Sequence, residues 1–279
     1  MYNKYSSFFI IHFILYHNMK EAINMIFYFS GTGNSLYTAQ KLALSLQESI
    51  CNIMDFINQN NFNYILKQDE RFGLVFPVYA WGLPKPVITF LQNIQISSFT
   101  PYYTFAVITC GENIGTTMNT LKKILKRKNI YLNSGFSIAM PDNYVVMFDV
   151  MNKEKENEKL NHADKQIYKI AKVITLQKNN FFRVEMGKFP FLKSTIINFL
   201  FRQYYTDTKR FYTTGDCIGC GKCESLCPAN MIHMKSEKPY WDTGHCYMCL
   251  SCLNHCPKEA IQYTKQTEKH GRYHNTRVQ

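Results

Sequence analysis

Residues 25–46 read MIFYFSGTGNSLYTAQKLALSL. The first six, MIFYFS (25–30), form a continuous apolar run with three aromatics, ended by Ser30-Gly31. That length and aromatic content predict a buried strand. From Asn34 onward the apolar residues Leu36, Ala39, Leu42, Ala43 and Leu46 recur at helical spacing. The stretch is therefore a strand, a glycine-containing turn and a helix, the opening half of a βαβ unit.

Working outward, the same alternation repeats. RFGLVFPVYAW (71–81) predicts a second buried strand that runs into a Pro- and Gly-rich loop, with a helix starting over 86–91. YYTFAVITCG (102–111) predicts a third strand, and 116–128 a helix. Residues 136–140 end a further strand before PDNY, and 153–178 form a Lys/Glu-rich helix with Ile167, Ile170, Val173 and Ile174 as its buried stripe. Strands alternating with helices imply an α/β doubly wound parallel sheet with right-handed crossovers. It covers 25–180. Residues 1–18 or 1–24 read as a dispensable extension or misassigned start, because Met19 and Met25 lie just before a well-formed strand, with a short interfacial anchor as the alternative. Residues 181–212 form a connector, and its aromatic, basic part 187–212 is expected to pack between domains, with a membrane-surface helix as the alternative. Residues 264–279 form a polar tail expected to be disordered.

Eight of the ten cysteines lie in two runs, CIGCGKCESLCP (217–228) and CYMCLSCLNHCP (246–257). Each reads C-x2-C-x2-C-x3-C-P, the two align at an offset of 29 residues, and each has Ile five positions past its last Cys (Ile232 and Ile261). Three thiolates at two-residue gaps wrap one corner of an iron–sulfur cubane. The fourth opens a helix and reaches the other cubane. One [4Fe–4S] cluster is thus expected on Cys217, Cys220, Cys223 and Cys256, and a second on Cys227, Cys246, Cys249 and Cys252. Pro228 and Pro257 turn the chain, and Gly219 and Gly221 let backbone N–H groups approach sulfur. Structural zinc commonly uses one or two C-x2-C pairs with His, a poorer match. His233, His245 and His255 are expected to be solvated or packing groups. The resemblance over 213–263 is to two-cluster bacterial-type ferredoxin domains, a small α+β unit.

The turn Ser30-Gly31-Thr32-Gly33-Asn34-Ser35 offers N–H donors, three hydroxyls and a helix N-terminus to a phosphate. It contains no Lys or Arg and lacks both the GK[ST] of a P-loop and G-x-G-x-x-G. It resembles the flavodoxin FMN signature, with Ser35 where Thr is usual. That resemblance implies FMN at the C-terminal strand ends. Pro77, Val78, Tyr79, Ala80, Trp81 and Gly82 would then flank the ring, with Thr109, Cys110, Gly111, Asn113 and Gly115 supplying backbone and polar contacts. Residues 140–144 could cover the site. Glu112 is expected to face solvent, and Cys51 and Cys110 to be buried core thiols. A flavodoxin-like N-terminus joined to a two-cluster ferredoxin is similar to the EFR1 family ferrodoxin proteins, over about 25–263.

The net charge of +12 is unevenly spread. Residues 151–212 carry 13 basic and 6 acidic side chains, against 4 and 5 in 213–263. No nucleic-acid motif accompanies the basic stretch, so nucleic acid is not an expected partner, and neither is a membrane. The apolar run 8–16 is short of the ~20 residues that span a bilayer and lacks a signal-peptide cleavage site. Cysteine usage points to a reducing cytoplasm. Together these features imply an electron-transfer protein moving electrons between FMN and two [4Fe–4S] clusters, with redox proteins as partners. No general acid, base or nucleophile for a substrate is legible. The alternatives are a flavin-dependent reductase of a quinone or nitro compound, and an iron–sulfur sensor or assembly protein without flavin.

Overall fold

A computed structural model describes residues 25–67, 70–98 and 101–278. The expectations for 1–24 lie outside the described residues. The strands of the first domain are β1 Met25–Tyr28, β2 Ser49–Asn52, β3 Asn63–Leu66, β4 Phe72–Pro77, β5 Gln95–Ser98, β6 Thr104–Cys110, β7 Ser134–Ala139 and β8 Phe181–Arg183. Six of them form a central sheet in the order β2-β1-β4-β6-β7-β8, every neighbouring pair parallel. A separate parallel pair joins β3 to β5. Strand order reverses between β1 and β4, the switch point where doubly wound folds open a crevice at the C-terminal strand ends.

The central strands read as continuous apolar runs because helices cover both faces. All seven residues of Thr104–Cys110 are buried. On one face the helices Ile53–Gln59, Lys85–Asn93 and Thr117–Arg127 pack Met54, Phe90 and Leu121 onto Phe27, Leu74 and Ile108. On the other, Asn34–Leu46 and Lys153–Thr175 bring Leu42, Leu160 and Ile167 against Ile26, Val107 and Phe136. Gly73 stands where a Cβ would meet the Phe105 ring at 2.5 Å, so a neighbouring aromatic can lie across the strand.

Three segments depart from expectation. Phe181–Arg183, assigned to the connector, pairs with β7 as the sheet's edge strand. Residues 190–204 form a helical rod, Pro190–Leu192, a π turn Lys193–Ile197 and Asn198–Tyr204, whose large apolar side chains are mostly exposed; of the stretch 187–212 expected to pack between domains, Phe201 and Phe211 do so, against Val145, Val146, Met248 and Leu250. The tail is ordered: Thr267, Tyr273 and Asn275 are buried. A polar composition is compatible with burial when the buried polar groups find partners. Thr267 bonds Gln262, and Tyr273 and Asn275 both bond Asn34.

Candidate iron–sulfur centre and the covered loop

The two cysteine runs fold as a pseudo-twofold pair. The short helix Lys222–Ser225 of the first corresponds to Ser251–Asn254 of the second, and these two helices lie against each other. Strands Tyr212–Thr213 and Ile261–Gln262 pair antiparallel, as do Ile232–Lys235 and Lys238–Trp241. Backbone conformation repeats at the 29-residue offset. Gly219 and Met248, Gly221 and Leu250, and Asn230 and Glu259 all adopt φ between 49° and 70°. These left-handed residues tuck the chain so that amides face sulfur. Met231 N donates to Cys227 Sγ at 3.4 Å and Ala260 N to Cys256 Sγ at 3.3 Å, the same bond in each repeat. Met248 N donates to Cys246 Sγ at 3.2 Å.

The eight thiols sort into two recesses. One, of about 350 Å³, is lined by Cys217, Cys220, Cys223 and Cys256, with Ile218, Met234, Pro257 and Lys258. The other, of about 330 Å³, is lined by Cys227, Cys246, Cys249 and Cys252, with Pro228, Trp241, Tyr247 and Leu250. Each therefore takes three thiols from one run and the last from the other. Among the described residues no group of three or more His, Cys, Asp or Glu converges tightly enough to hold one metal ion. Tetrahedral zinc needs all donors within about 2.3 Å of a point, whereas a cubane spreads its thiolates over four irons. The ring of sulfurs suits the second.

The recesses differ in burial. Cys220 is exposed and its companions are partly so, while Cys249 and Cys252 are buried at 7 % and 8 % exposure. Burial, with the neighbouring thiols of Cys249, Cys246 and Cys227 adding to it, holds the Cys252 thiol well above its ordinary value. Cys249 is raised by burial and by the Cys246 and Cys227 thiols, and Cys246 is pushed up to about 11, chiefly by burial. Loading iron here must displace protons that burial otherwise retains. None of the three histidines enters either ring. His233 Nε2 pairs with Asp242 at 3.0 Å, His245 Nδ1 meets the Thr206 hydroxyl at 3.0 Å, and His255 Nδ1 contacts Ser251 O at 2.9 Å and stacks on His274.

The inner recess sits on the C-terminal edge of the sheet. Cys249 belongs to the apolar cluster beneath that edge, and Met248, Leu250 and Ile261 pack with Val145 and Val146 from the loop after β7. A Cβ built on Gly31 would lie 2.5 Å from the Cys249 carbonyl oxygen and 2.9 Å from its Cβ, so only glycine lets the cysteine backbone come this close.

That contact bears directly on the Ser30–Ser35 loop. Each hydroxyl already has a partner in the chain. Ser30 Oγ accepts from Gly33 N at 3.1 Å, Thr32 Oγ1 from Asn143 Nδ2 at 2.5 Å, and Ser35 Oγ bonds Thr109 Oγ1 at 2.7 Å. The tail covers the rest. Asn275 N donates to Thr32 O at 2.8 Å, and a Cβ on Gly33 would meet Val278 and Asn275 at 3.0 and 3.1 Å. The Asn34 carboxamide donates to Pro141 O at 2.9 Å and accepts from Tyr273 Oη and Asn275 Nδ2.

The other loops expected around a flavin are covered too. Asn198 donates to the carbonyls of Tyr79 and Ala80 and lies against Gly82. Val78 N pairs with Thr109 O as an extension of the sheet beyond Pro77. The Trp81 indole donates to Asn113 Oδ1 at 2.8 Å, and the Lys193 ammonium lies 5.0 Å over its ring. Gly111 O accepts from Lys159, and Gly115 abuts Ser194. As expected, Glu112 is exposed and Cys110 buried. Cys51 is half-buried. The hydroxyls of Ser30, Thr32 and Ser35 thus each share a hydrogen bond within the chain, and the faces of Gly31 and Gly33 that a phosphate would approach are covered by Cys249, Asn275 and Val278.

Tyr79, expected beside a flavin ring, lies against the inner cysteines. The Tyr79 hydroxyl is enclosed yet has no hydrogen-bond partner among the described residues. It lies 3.1 Å from the same point on Gly31 that Cys249 Cβ approaches to 2.9 Å. Burial, and then the charges of Cys249 and Cys246, raise its pKa well above the ordinary phenol. An aromatic in a loop is a common packing residue, and only the fold brings it to the sulfurs.

Comparison with protein families matches residues 216–261 to a 4Fe-4S dicluster domain. No curated protein matches the chain.

Proposed function

We propose that this chain is an electron-transfer protein. In this reading Cys217, Cys220, Cys223 and Cys256 hold an outer [4Fe–4S] cluster, and Cys227, Cys246, Cys249 and Cys252 an inner one. The observation that carries it is the sorting of thiols into two recesses, each drawing its fourth cysteine from the opposite run. Bound cubanes supply one-electron chemistry. The residues around them do the rest. Amides of Met231, Met248 and Ala260 aim at sulfur and stabilise added negative charge. Ile218, Met234 and Pro257 line the outer thiols, and Trp241, Leu250 and Ile232 the inner ones.

The unequal exposure supports a division of roles. The outer site, with Cys220 exposed, is where a redox protein would exchange electrons. The inner site is seated on the α/β domain. The resemblance to the EFR1 family ferrodoxins and to flavodoxins would place an FMN next to it. The covering of the loop by Cys249, Asn275 and Val278 supports a different role, in which the flavodoxin-like domain is a flavin-free support for the inner cluster. Anaerobic purification with iron, sulfide and flavin quantified tests both points. Two clusters per chain without flavin is expected. Stoichiometric FMN would restore the flavin-to-cluster converter, and zinc in place of iron would end the electron-transfer reading.

A further inference from the structure

The helical rod 190–204 is inside out. Apart from Phe201, which packs against Tyr144, the side that meets the protein is polar. Ser194 Oγ accepts from Thr116 N at 2.8 Å, Asn198 donates to two carbonyls, and Arg202 Nη2 donates to Leu83 O at 2.8 Å. The opposite side carries Leu192, Ile196, Phe199 and Leu200, a run at helical spacing that is 46, 54, 64 and 43 % exposed. Phe189 and Phe191 extend it, each 73 % exposed. A helix stabilised by its own fold shows the reverse arrangement, apolar stripe inward. A contiguous apolar patch of this kind marks a surface that meets something else.

Charge identifies the partner. Of the cations in residues 188–210, Lys188, Lys209 and Arg210 are exposed near the ends of the rod against one acid, Asp207, while Arg202 turns inward to Leu83 O and Lys193 lies over the Trp81 ring. A second copy of this chain would set two such cationic segments against each other. The face is a convex rod with cations at its ends, not a groove that grips a peptide. Among the described residues no helix is long and apolar enough to cross a membrane. A basic helix with bulky aliphatic and phenyl side chains on one side has the composition of an element that lies in a bilayer interface, where anionic headgroups attract each cation.

We propose that this face seats the protein on the surface of an anionic membrane, with Phe191, Leu192, Ile196, Phe199 and Leu200 inserted at the boundary between headgroups and acyl chains. The proposal does not depend on the flavin question or on cluster ligation.

The test uses the full chain, purified anaerobically, in sedimentation with phosphatidylglycerol and phosphatidylcholine vesicles. Expected is co-sedimentation with the first, much weaker with the second, and weakened by high salt. Phe199→Asp with Leu200→Asp should lower partitioning at least about tenfold, because two inserted apolar groups are lost, with iron content unchanged. In a separate Phe199→Trp variant, tryptophan emission should shift to the blue on vesicle addition. Three results would each overturn the proposal: equal behaviour with both lipids, binding unchanged by the double substitution, or emission from the Phe199→Trp variant that does not shift. A monomer–dimer equilibrium abolished by the double substitution, with the protein left in solution by both vesicles, would assign the face to a second copy instead.

Discussion

The Tyr273 hydroxyl donates to the Asn34 carboxamide at 2.7 Å, joining residues 239 positions apart. The same carboxamide accepts from Asn275 and donates to Pro141 O, all out of water. One short side chain thus fastens the tail to the first loop of the sheet.

Asn34→Ala strands a hydroxyl, an amide and a carbonyl. Each buried group left without a partner costs about 1–3 kcal/mol. Tyr273→Phe removes one bond at about 1 kcal/mol. The rate at which cluster absorbance bleaches on heating should rank Asn34→Ala fastest, then Tyr273→Phe, then the parent. Equal rates for all three would show that the tail contributes nothing to holding the domains together.

Crossed ligation makes a prediction that only paired substitutions can read. Cys220→Ala and Cys256→Ala should each remove the outer cluster, so the double variant loses no more iron than either single one, about half. Cys220→Ala with Cys227→Ala should lose nearly all, since those thiols serve different recesses. Folding and cluster loading are coupled, and the buried inner set should destabilise more when broken. The reverse order, nearly all iron lost from Cys220/Cys256 and about half from Cys220/Cys227, would mean each run binds its own cluster.

Tyr79→Phe removes an enclosed hydroxyl that has no partner among the described residues. Folding stability should hold or rise slightly, as no hydrogen bond to protein is broken. If the hydroxyl donates to sulfur of the inner cluster, the loss should lower that cluster's reduction potential, because donors to sulfur favour the more negative reduced form. The outer cluster's potential serves as the internal control. Identical potentials for parent and variant would place the hydroxyl away from the cluster.

The sheet was legible because its strands are covered on both faces. Runs such as YYTFAVITCG and the helix 34–46 announce themselves through period alone, and the helix begins and ends at the expected residues. Short edge elements were not. Ser49–Asn52 and Phe181–Arg183 carry no long apolar run, and the sheet's hydrogen bonds define them. The grouping of cysteines was legible because a covalent-scale spacing dictates it. The fate of the Ser30–Ser35 loop was not, because what covers it lies more than 200 residues downstream in a stretch whose composition reads as solvent-exposed. The outward apolar face of 190–204 was hidden for a related reason: periodicity reports that a helix has an apolar side, not which way that side turns.

Cys110 offers a pH test away from the clusters. Burial pushes its thiol from 9.0 up to about 12, with Ile138 O accepting from it. The folded chain keeps this proton where the unfolded chain releases it. The stability it contributes is complete below pH 9.0 and is lost as pH rises toward about 12. The decline approaches about 1.4 kcal/mol per pH unit. In urea unfolding followed from neutral to alkaline pH, Cys110→Ala should show a shallower alkaline decline than the parent. Parallel curves would mean the thiol titrates alike in both states.

The two repeats match in spacing and backbone, yet two glycines of the first are replaced by large side chains in the second. The first has Gly219 and Gly221 in left-handed conformation, where glycine sits without strain. The second has Met248 and Leu250 there, at φ 52° and 55°. A side chain in that conformation costs of order 1 kcal/mol or more. Both are nearly fully buried against the sheet domain, and burying each returns about 1.5–3 kcal/mol. The halves are therefore not interchangeable. A chain with the two runs transposed would keep all eight sulfurs in register, yet lose the pair of side chains that moors one half to its platform, and would leave two strained residues stranded in solvent.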